Sequence, residues 1–300
     1  MARAVRGIGL QYQETVQSLH DGVEGDTEPL VYDVAEVLAD NFVGALDGPY
    51  AVEPGTRSLL ERLMAGHPLT SHGNYGEEFG FMPLEETNAV RRHLPFTQEI
   101  QSPWYGDHLF FGYPASTYMW SSPVPFSSVE VERMAGRAAR LQDLFKVPVM
   151  HENPFYYAPF PGSHLAEAEF TSELVRKSGT YLLLDLHNVY SNSVNFKDTY
   201  DRWQYLRTIP LDKVLQVHLA GGQWIDGWYH DLHNGAVPGP VWEMLDFVLK
   251  EARNLQLVVL EVQGPAHTAR SRAVDASWRK MIREDLARAR SAWTAIRGAI

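Results

Sequence analysis

The chain contains no cysteine among its 300 residues. That excludes disulfides, thiolate zinc sites, cysteine-ligated iron–sulfur clusters and a cysteine nucleophile, so a bound metal has to sit on His, Asp, Glu or Asn. Long apolar runs are also missing. No stretch approaches the roughly 18–20 residues that a membrane span needs, and no membrane partner is expected. The opening Met1-Ala2-Arg3-Ala4-Val5-Arg6 lacks the apolar stretch and cleavage site of a signal peptide, which makes a cytoplasmic protein the expectation. Basic residues are in deficit, with 26 Lys and Arg against 37 Asp and Glu, a net charge of −11. Such a balance repels a phosphate backbone, so nucleic acid is not expected as a partner, while metal cations and a basic peptide remain open. There is no low-complexity segment and no linker between halves, so residues 1–300 are expected to form a single domain.

What is present is alternation. Short runs rich in Val, Leu and Ile occur at residues 7–11, 33–38, 68–72, 99–102, 148–152, 181–186, 214–219 and 256–262. Between or after them, apolar residues at three-to-four spacing predict helices over 56–64, 85–93, 129–145, 166–177, 199–208, 241–251 and 277–297. Strand–helix repetition of this kind predicts α/β structure with a parallel sheet, and eight units in about 300 residues is the size of a (β/α)8 TIM barrel. The alternative is an open doubly wound sheet. It usually has a glycine-rich first crossover, and Gly7-Ile8-Gly9-Leu10 lacks both the third glycine and the following helix.

Six of the eight predicted strands end in, or are soon followed by, a side chain that binds hard or borderline metals: His72, His108, Glu152, Asp185 with His187, His218, and Glu261. In a barrel, function collects at the carboxyl ends of the strands, where residues far apart in sequence meet. Each residue alone has an ordinary reading as a loop histidine, a turn cap or half of an ion pair. A carboxylate at the end of an apolar strand is nevertheless costly to bury unless a cation or several donors meet it. Mixed imidazole and carboxylate donors suit Fe, Mn or Zn better than Mg or Ca. Asp231 and His233, two apart, share a face if locally extended and join the set. Asp107 beside His108 and Asn188 beside His187 are candidates for orienting the imidazoles.

The runs Ser71-His72-Gly73, Asp107-His108-Leu109, His151-Glu152-Asn153, Leu184-Asp185-Leu186-His187-Asn188, Val217-His218-Leu219-Ala220-Gly221, Asp231-Leu232-His233, Pro240-Val241-Trp242 and Leu260-Glu261, following Gly7-Ile8-Gly9-Leu10, resemble in order and spacing those of the multinuclear non-haem iron-dependent oxidative enzymes. The resemblance covers nearly the whole chain. It implies a xylose-isomerase-like barrel holding two or three irons, mixed-valent Fe(II)/Fe(III), with O2 as co-substrate. It also implies oxidation of a residue, often cysteine, in a ribosomally made precursor peptide, and a small partner protein that recognises the leader. Carried over position by position, His72, His108 and a bridging Glu152 would hold one metal, Asp185, His218, Glu261 and Glu152 a second, and Asp231 with His233 a third. The chain departs from the family pattern at two places. Where the family has His-Leu-Ala-Gly-His, the last position here is Gly222, and where it has Asn two residues after the strand-six aspartate, this chain has His187. Either His187 replaces the imidazole lost at Gly222, or the third site is degenerate and two metals remain.

Three rival functions stay open: a non-redox sugar isomerase or epimerase using divalent metals on the same barrel, a metal-dependent phosphodiesterase acting on DNA, disfavoured by the acidic charge, and a non-catalytic peptide-binding or metal-binding subunit. Aromatic residues crowd the loops expected at the ligand end: Trp104, Tyr105, Phe110, Phe111, Tyr113, Tyr118, Trp120, Phe155, Tyr156, Tyr157, Trp224, Trp228 and Tyr229. They are expected either to form a peptide groove or to be loop cores.

Overall fold

Runs that are apolar on both faces need cover on both sides, and a closed parallel sheet wrapped in helices provides it. The computed structural model describes residues 5–13, 30–44, 50–74, 76–111, 123–263 and 276–299. Its strands are β1 (Gly7–Tyr12), β2 (Val34–Leu38), β3 (Leu69–His72), β4 (Tyr105–His108), β5 (Val149–Glu152), β6 (Tyr181–Asp185), β7 (Val214–Leu219), β8 (Gln223–Ile225), β9 (Trp228–His230) and β10 (Leu257–Leu260). The helices are α1 (Pro54–Gly66), α2 (Leu94–Glu99), α3 (Ser128–Phe145), α4 (Glu167–Ser178), α5 (Leu186–Asn195), α6 (Arg202–Thr208), α7 (Gly239–Glu251) and α8 (Ala276–Arg297). Strands β1 to β7 pair in parallel in chain order, and β10 closes the barrel between β7 and β1. The protein is thus a closed eight-stranded α/β barrel, as the alternation predicts.

Period-two alternation divides each strand between the barrel interior and the helix-facing layer. Outward residues such as Ile8, Leu10, Val37, Leu184, Val217 and Leu260 join Leu60, Leu245, Val248 and Trp293 of the helices in the largest apolar cluster. Inside, Val34, Trp104, Met150, Leu183, Leu257 and Val259 form a smaller plug. Register then sets the rim: His108 lies opposite Glu152 and Asp185 opposite His218. Helix ends follow side-chain chemistry. Ser127 accepts from the Glu130 amide at the start of α3, Asp201 from the Trp203 and Gln204 amides at the start of α6, and Gly179 at φ 74° ends α4.

Three local expectations need correction. The fourth strand is Tyr105–His108 rather than 99–102, because Leu94–Glu99 is a helix with a proline in its first turn. Tyr105-Gly106-Asp107-His108 carries no β-branched or aliphatic residue, so propensity passes over it, and tertiary packing makes it a strand. Gly106 shows why, since a Cβ there would lie 3.0 Å from Leu183 Cδ1 and 3.4 Å from His72 Cδ2. The sixth strand ends at Asp185, and Leu186–Asn195 is a helix where none was expected. The predicted helix over 85–93 is instead a 3-10 turn, Leu84–Glu86, and a π-helical turn, Ala89–His93. The hairpin β8–β9 was also unforeseen, although Asp226-Gly227 at its tip, with φ 51° and 84°, is the usual signature of a two-residue turn.

Candidate metal centre

The carboxyl ends of β3 to β7 and β10 bring six of the expected residues together. His72 Nε2 is 2.8 Å and His108 Nε2 3.3 Å from the same oxygen, Glu152 Oε2. On the other side of that carboxylate, His218 Nδ1 is 3.5 Å from Glu152 Oε1 and 3.3 Å from Glu261 Oε2. Ligand atoms of His72, Glu152 and His218 lie within 4.8 Å of one another, as do those of Glu152, Asp185, His218 and Glu261. Glu152 and His218 belong to both groups, so the two groups share a carboxylate and an imidazole.

A further group, His187, Asp231 and His233, meets the same 4.8 Å criterion. His187 Nδ1 is 2.9 Å and His233 Nε2 2.8 Å from Asp231 Oδ1, and His233 Nε2 is 3.8 Å from Glu261 Oε2. Glu261 therefore adjoins both sets. His187 stands on the first turn of α5, and its Cε1 would be 3.2 Å from a Cβ at Gly222. That same Cβ would sit 2.1 Å from the His230 carbonyl oxygen, so only glycine fits where the chain passes the hairpin. The imidazole of His187 thus stands beside the position that has lost one.

Asp185 does two jobs. Its Oδ1 caps α5 by accepting from the Asn188 amide at 2.7 Å, and its buried Oδ2 has no hydrogen-bond partner. Asn153 holds the strand end in place, accepting from the Asp185 amide at 2.8 Å and donating to the Asp185 carbonyl at 2.9 Å. Asp107 lies outside the barrel wall. Its Oδ1 accepts from the His108 amide at 2.7 Å and stands 3.5 Å from His108 Nδ1, and its Oδ2 accepts from the Tyr105 hydroxyl at 2.8 Å. Asn188 does not do what was expected of it. Its side chain donates to the Asn153 carbonyl, and the His187 ring is held by Asp231 instead.

Sequence reasoning missed the residues directly beneath the cluster. Glu36, in the middle of β2, accepts from His218 Nε2 at 2.8 Å and from Gln11 Nε2 at 3.1 Å, and it also bonds the Gln216 amide. Gln11 Nε2 bonds Glu261 as well. Trp104 Nε1 donates to Gln216 Oε1 at 2.9 Å, which closes the layer from below. The signal was available: Glu36 is a lone charge inside Val-Ala-Glu-Val-Leu, and a strand buried on both sides tolerates that only with partners.

The electrostatics describe a site built around positive charge. Burial alone would raise the Glu36 carboxyl, yet the neighbouring imidazoles of His218 and His72 hold it near a pKa of about 2. Burial opposes the charge on His72 and His233, but Glu152 pulls the first up to about 9, and Asp231 with Glu261 pulls the second up to about 10. Asp185 goes the other way, raised by burial and by the carboxylates of Glu152 and Glu261. Glu152, Asp185, Glu261 and Glu36 are all buried, and among the described residues no Lys or Arg pairs with them. His218 Nδ1, His233 Nδ1 and Asp185 Oδ2 have no hydrogen-bond partner. These nitrogen and oxygen donors fit a transition-metal ion, whose charge would displace the imidazole protons and offset the carboxylates.

The aromatic residues separate into two sets. Trp104 and Tyr105 precede or lie within β4 and are buried, Trp104 in the barrel plug and Tyr105 stacked on Phe145, so neither lines a groove at the rim. Phe155, Tyr156 and Tyr229 are likewise buried, and Phe110 stacks on His108 at 4.7 Å. Tyr157, Trp224 and Trp228 remain exposed on the ligand side, with the Tyr157 hydroxyl 2.7 Å from His230 Nδ1. Tyr113, Tyr118 and Trp120 lie outside the described residues.

Residues 6–270 match a family described as the RiPP precursor modification enzyme MbnB/TglH/ChrH. Similar curated proteins include a UPF0276 protein of Acinetobacter baylyi, 30% identical over 242 residues, covering 80% of this chain and 79% of that one. Another UPF0276 protein, from Caulobacter vibrioides, is 29% identical over 74% of this chain and 76% of its own. Among solved structures, D-psicose 3-epimerase of Clostridium cellulolyticum superposes with a TM-score of 0.53 at 12% identity, covering 98% of this chain and 99% of that one. A D-allulose 3-epimerase from a Methylomonas species gives 0.54 at 12% identity, covering 100% and 99%. These likenesses are to the fold, a xylose-isomerase-like TIM barrel. No helix among the described residues is long and apolar enough to cross a membrane.

Proposed function

The chain belongs to the MbnB/TglH/ChrH family of enzymes that modify precursors of ribosomally synthesised, post-translationally modified peptides, and from that premise we propose that it carries out an iron-dependent, O2-consuming oxidation of a residue, cysteine first among the candidates, in such a precursor. The observation that carries this reading is the pair of adjoining nitrogen–oxygen clusters at the open end of the barrel, joined through Glu152 and Glu261. His72, His108 and Glu152 would hold one iron, Glu152, Asp185, His218 and Glu261 a second, and His187, Asp231 and His233 a third. In the third set His187 takes the part of the imidazole absent at Gly222. Iron held there would supply an Fe(II)/Fe(III) couple for O2 activation and a Lewis-acid position for a substrate thiolate.

The chain's own residues orient and shield that chemistry. Glu36, by accepting from Nε2, fixes the His218 tautomer so that Nδ1 faces Glu152 and Glu261. Gln11 holds Glu261, and the Asn153–Asp185 pair fixes the end of β6. Below them Met150, Leu183, Leu257 and Val259 deny water access from the amino-terminal side of the barrel. Among the described residues, the rim loops on the substrate side carry the exposed Tyr157, Trp224 and Trp228. A small partner protein that recognises the leader belongs to the same reading.

Quantitative Fe, Mn and Zn analysis of freshly purified protein, joined with O2 uptake in the presence of precursor peptides encoded beside its gene, tests the proposal. Two to three irons per chain and a peptide mass change that requires O2 are expected. Mn or Zn alone, undisplaced by iron under reducing conditions, with no O2 uptake, would overturn it in favour of non-redox chemistry.

A further inference from the structure

The loop that leaves β5 at Glu152 contributes Tyr156 and Pro159 to the wall of a cavity. It has a volume of about 530 Å3 and lies between the start of α4, the start of α6 and the loops before them. Glu167, the first residue of α4, lines it while being only 5% exposed. One of its oxygens accepts from the Tyr156 hydroxyl at 3.1 Å, and the other, buried Oε1, has no hydrogen-bond partner. Tyr200 and Tyr205 complete the wall around it. Two more carboxylates, Glu169 and Asp201, stand on the cavity lining, and neither Lys nor Arg is found there among the described residues.

The starts of two helices would favour an anion if nothing else were present. Three carboxylic acids on one lining make an anion unfavourable, although Arg202 and Arg207 lie near Asp201, and Glu169 and Asp201 already occupy backbone donors of those helix starts. Tyrosine side chains and a buried carboxyl without a cation instead match a primary ammonium or guanidinium on a short alkyl stem, which pairs with the carboxylate and packs among the aromatic residues of the lining. The volume suits one such side chain, being within the range of small-ligand pockets.

We propose that this cavity is a specificity pocket that receives a lysine or arginine side chain of the peptide substrate and thereby sets which residue lies over the metal centre. The choice of a peptide as occupant rests on the function proposed above. The geometry of the cavity does not. Burial holds the Glu167 carboxyl up, near about 8, although three tyrosine hydroxyls act against the shift, which is the behaviour of a carboxyl that has no cation beside it.

The test uses the metal-loaded protein and two blocked amino acids, N-acetyl-lysine methylamide and its uncharged counterpart N-acetyl-norleucine methylamide, titrated by ligand-observed NMR. The lysine compound is expected to bind in the millimolar range and the norleucine compound at least about tenfold more weakly, with Glu167→Gln abolishing that difference. Tyr200→Phe, which leaves the carboxyl in place, should keep the preference for lysine and so serves if the first variant folds poorly. Equal binding of the two probes, or lysine binding unchanged in Glu167→Gln, would overturn the pocket. Spermidine binding more than about a hundredfold tighter than the lysine compound would overturn the peptide side chain as occupant. Absence of O2 uptake would sink the oxidative function and leave this result standing, so the two failures are distinguishable.

Discussion

Two clusters of ligand-type residues meet at Glu261, and they are built on different foundations. His72, His108, Glu152 and Asp185 end barrel strands, His218 is the last residue but one of its strand, and Glu261 directly follows one. Each is placed by parallel register, and beneath them Glu36, Gln11 and Gln216 form a hydrogen-bonded layer. Among the described residues, His187, Asp231 and His233 have no such layer. They come from the first turn of α5 and from the segment after the β8–β9 hairpin, where His233 takes φ 49°, a conformation few non-glycine residues adopt. A donor on a strand inherits its position from the whole sheet, whereas a donor on a loop depends on its immediate neighbours. The strand-borne set should therefore be the tighter and less substitutable of the two.

The sharpest break in that contrast would come from Glu152→Gln. Because Glu152 faces His72, His108 and His218 at once, its loss should remove about two metals per chain and leave the loop-borne site able to take one, as measured by elemental analysis after reconstitution with iron. Full metal content in this variant would mean that Glu152 bridges nothing. His187→Ala is the reciprocal experiment and should remove about one metal, leaving two. Unchanged content there would show the loop-borne group to be an ordinary hydrogen-bonded cluster and the chain to be a two-metal protein.

Glu36→Gln probes the foundation itself. The stoichiometry should survive at saturating iron, but competition with a chelator should show affinity for the strand-borne pair lowered about 10- to 100-fold, the usual cost of losing a carboxylate behind a metal-facing histidine. The loop-borne site should be unaffected. Equal weakening of both sites would mean that the layer beneath the barrel rim serves stability in general rather than His218.

The same contrast explains what could be read from the chain. Most barrel strands and the long helices follow from apolar period alone, and so does the expectation that His72, Glu152, Asp185, His218 and Glu261 share a rim. The fourth strand was misplaced because Gly106 and Asp107 suit a strand only once Leu183, Met150 and Tyr105 surround them, and no local pattern encodes that. Helix α5 was passed over because its cap, Asp185, also reads as a ligand, and Leu186 extends the apolar run by one. Glu36, Gln11 and Gln216 were visible as polar interruptions of buried strands. Their meaning depends on β1 and β2 facing β7 across the barrel interior, and the hydrogen bonds that reveal it span up to 250 residues.

A buried carboxylate away from either cluster supplies the control for these arguments. Glu36 and Glu167 are both buried, but Glu36 faces imidazoles and falls to about 2, while Glu167 meets only tyrosine hydroxyls and rises to about 8. With its ordinary value at 4.5, Glu167 takes up a proton on folding between those two pH values. Its contribution to stability is therefore complete below about 4.5 and is lost as pH rises through about 8. Comparing urea unfolding of the parent and Glu167→Gln from pH 5 to pH 8, the parent should lose stability relative to the variant by on the order of a few kcal/mol. A constant difference across that range would mean that Glu167 is ionised in the folded protein, with an ordinary pKa. The metal centre would then lose its contrast, because a carboxylate buried without imidazole or cation would also stay charged in this barrel.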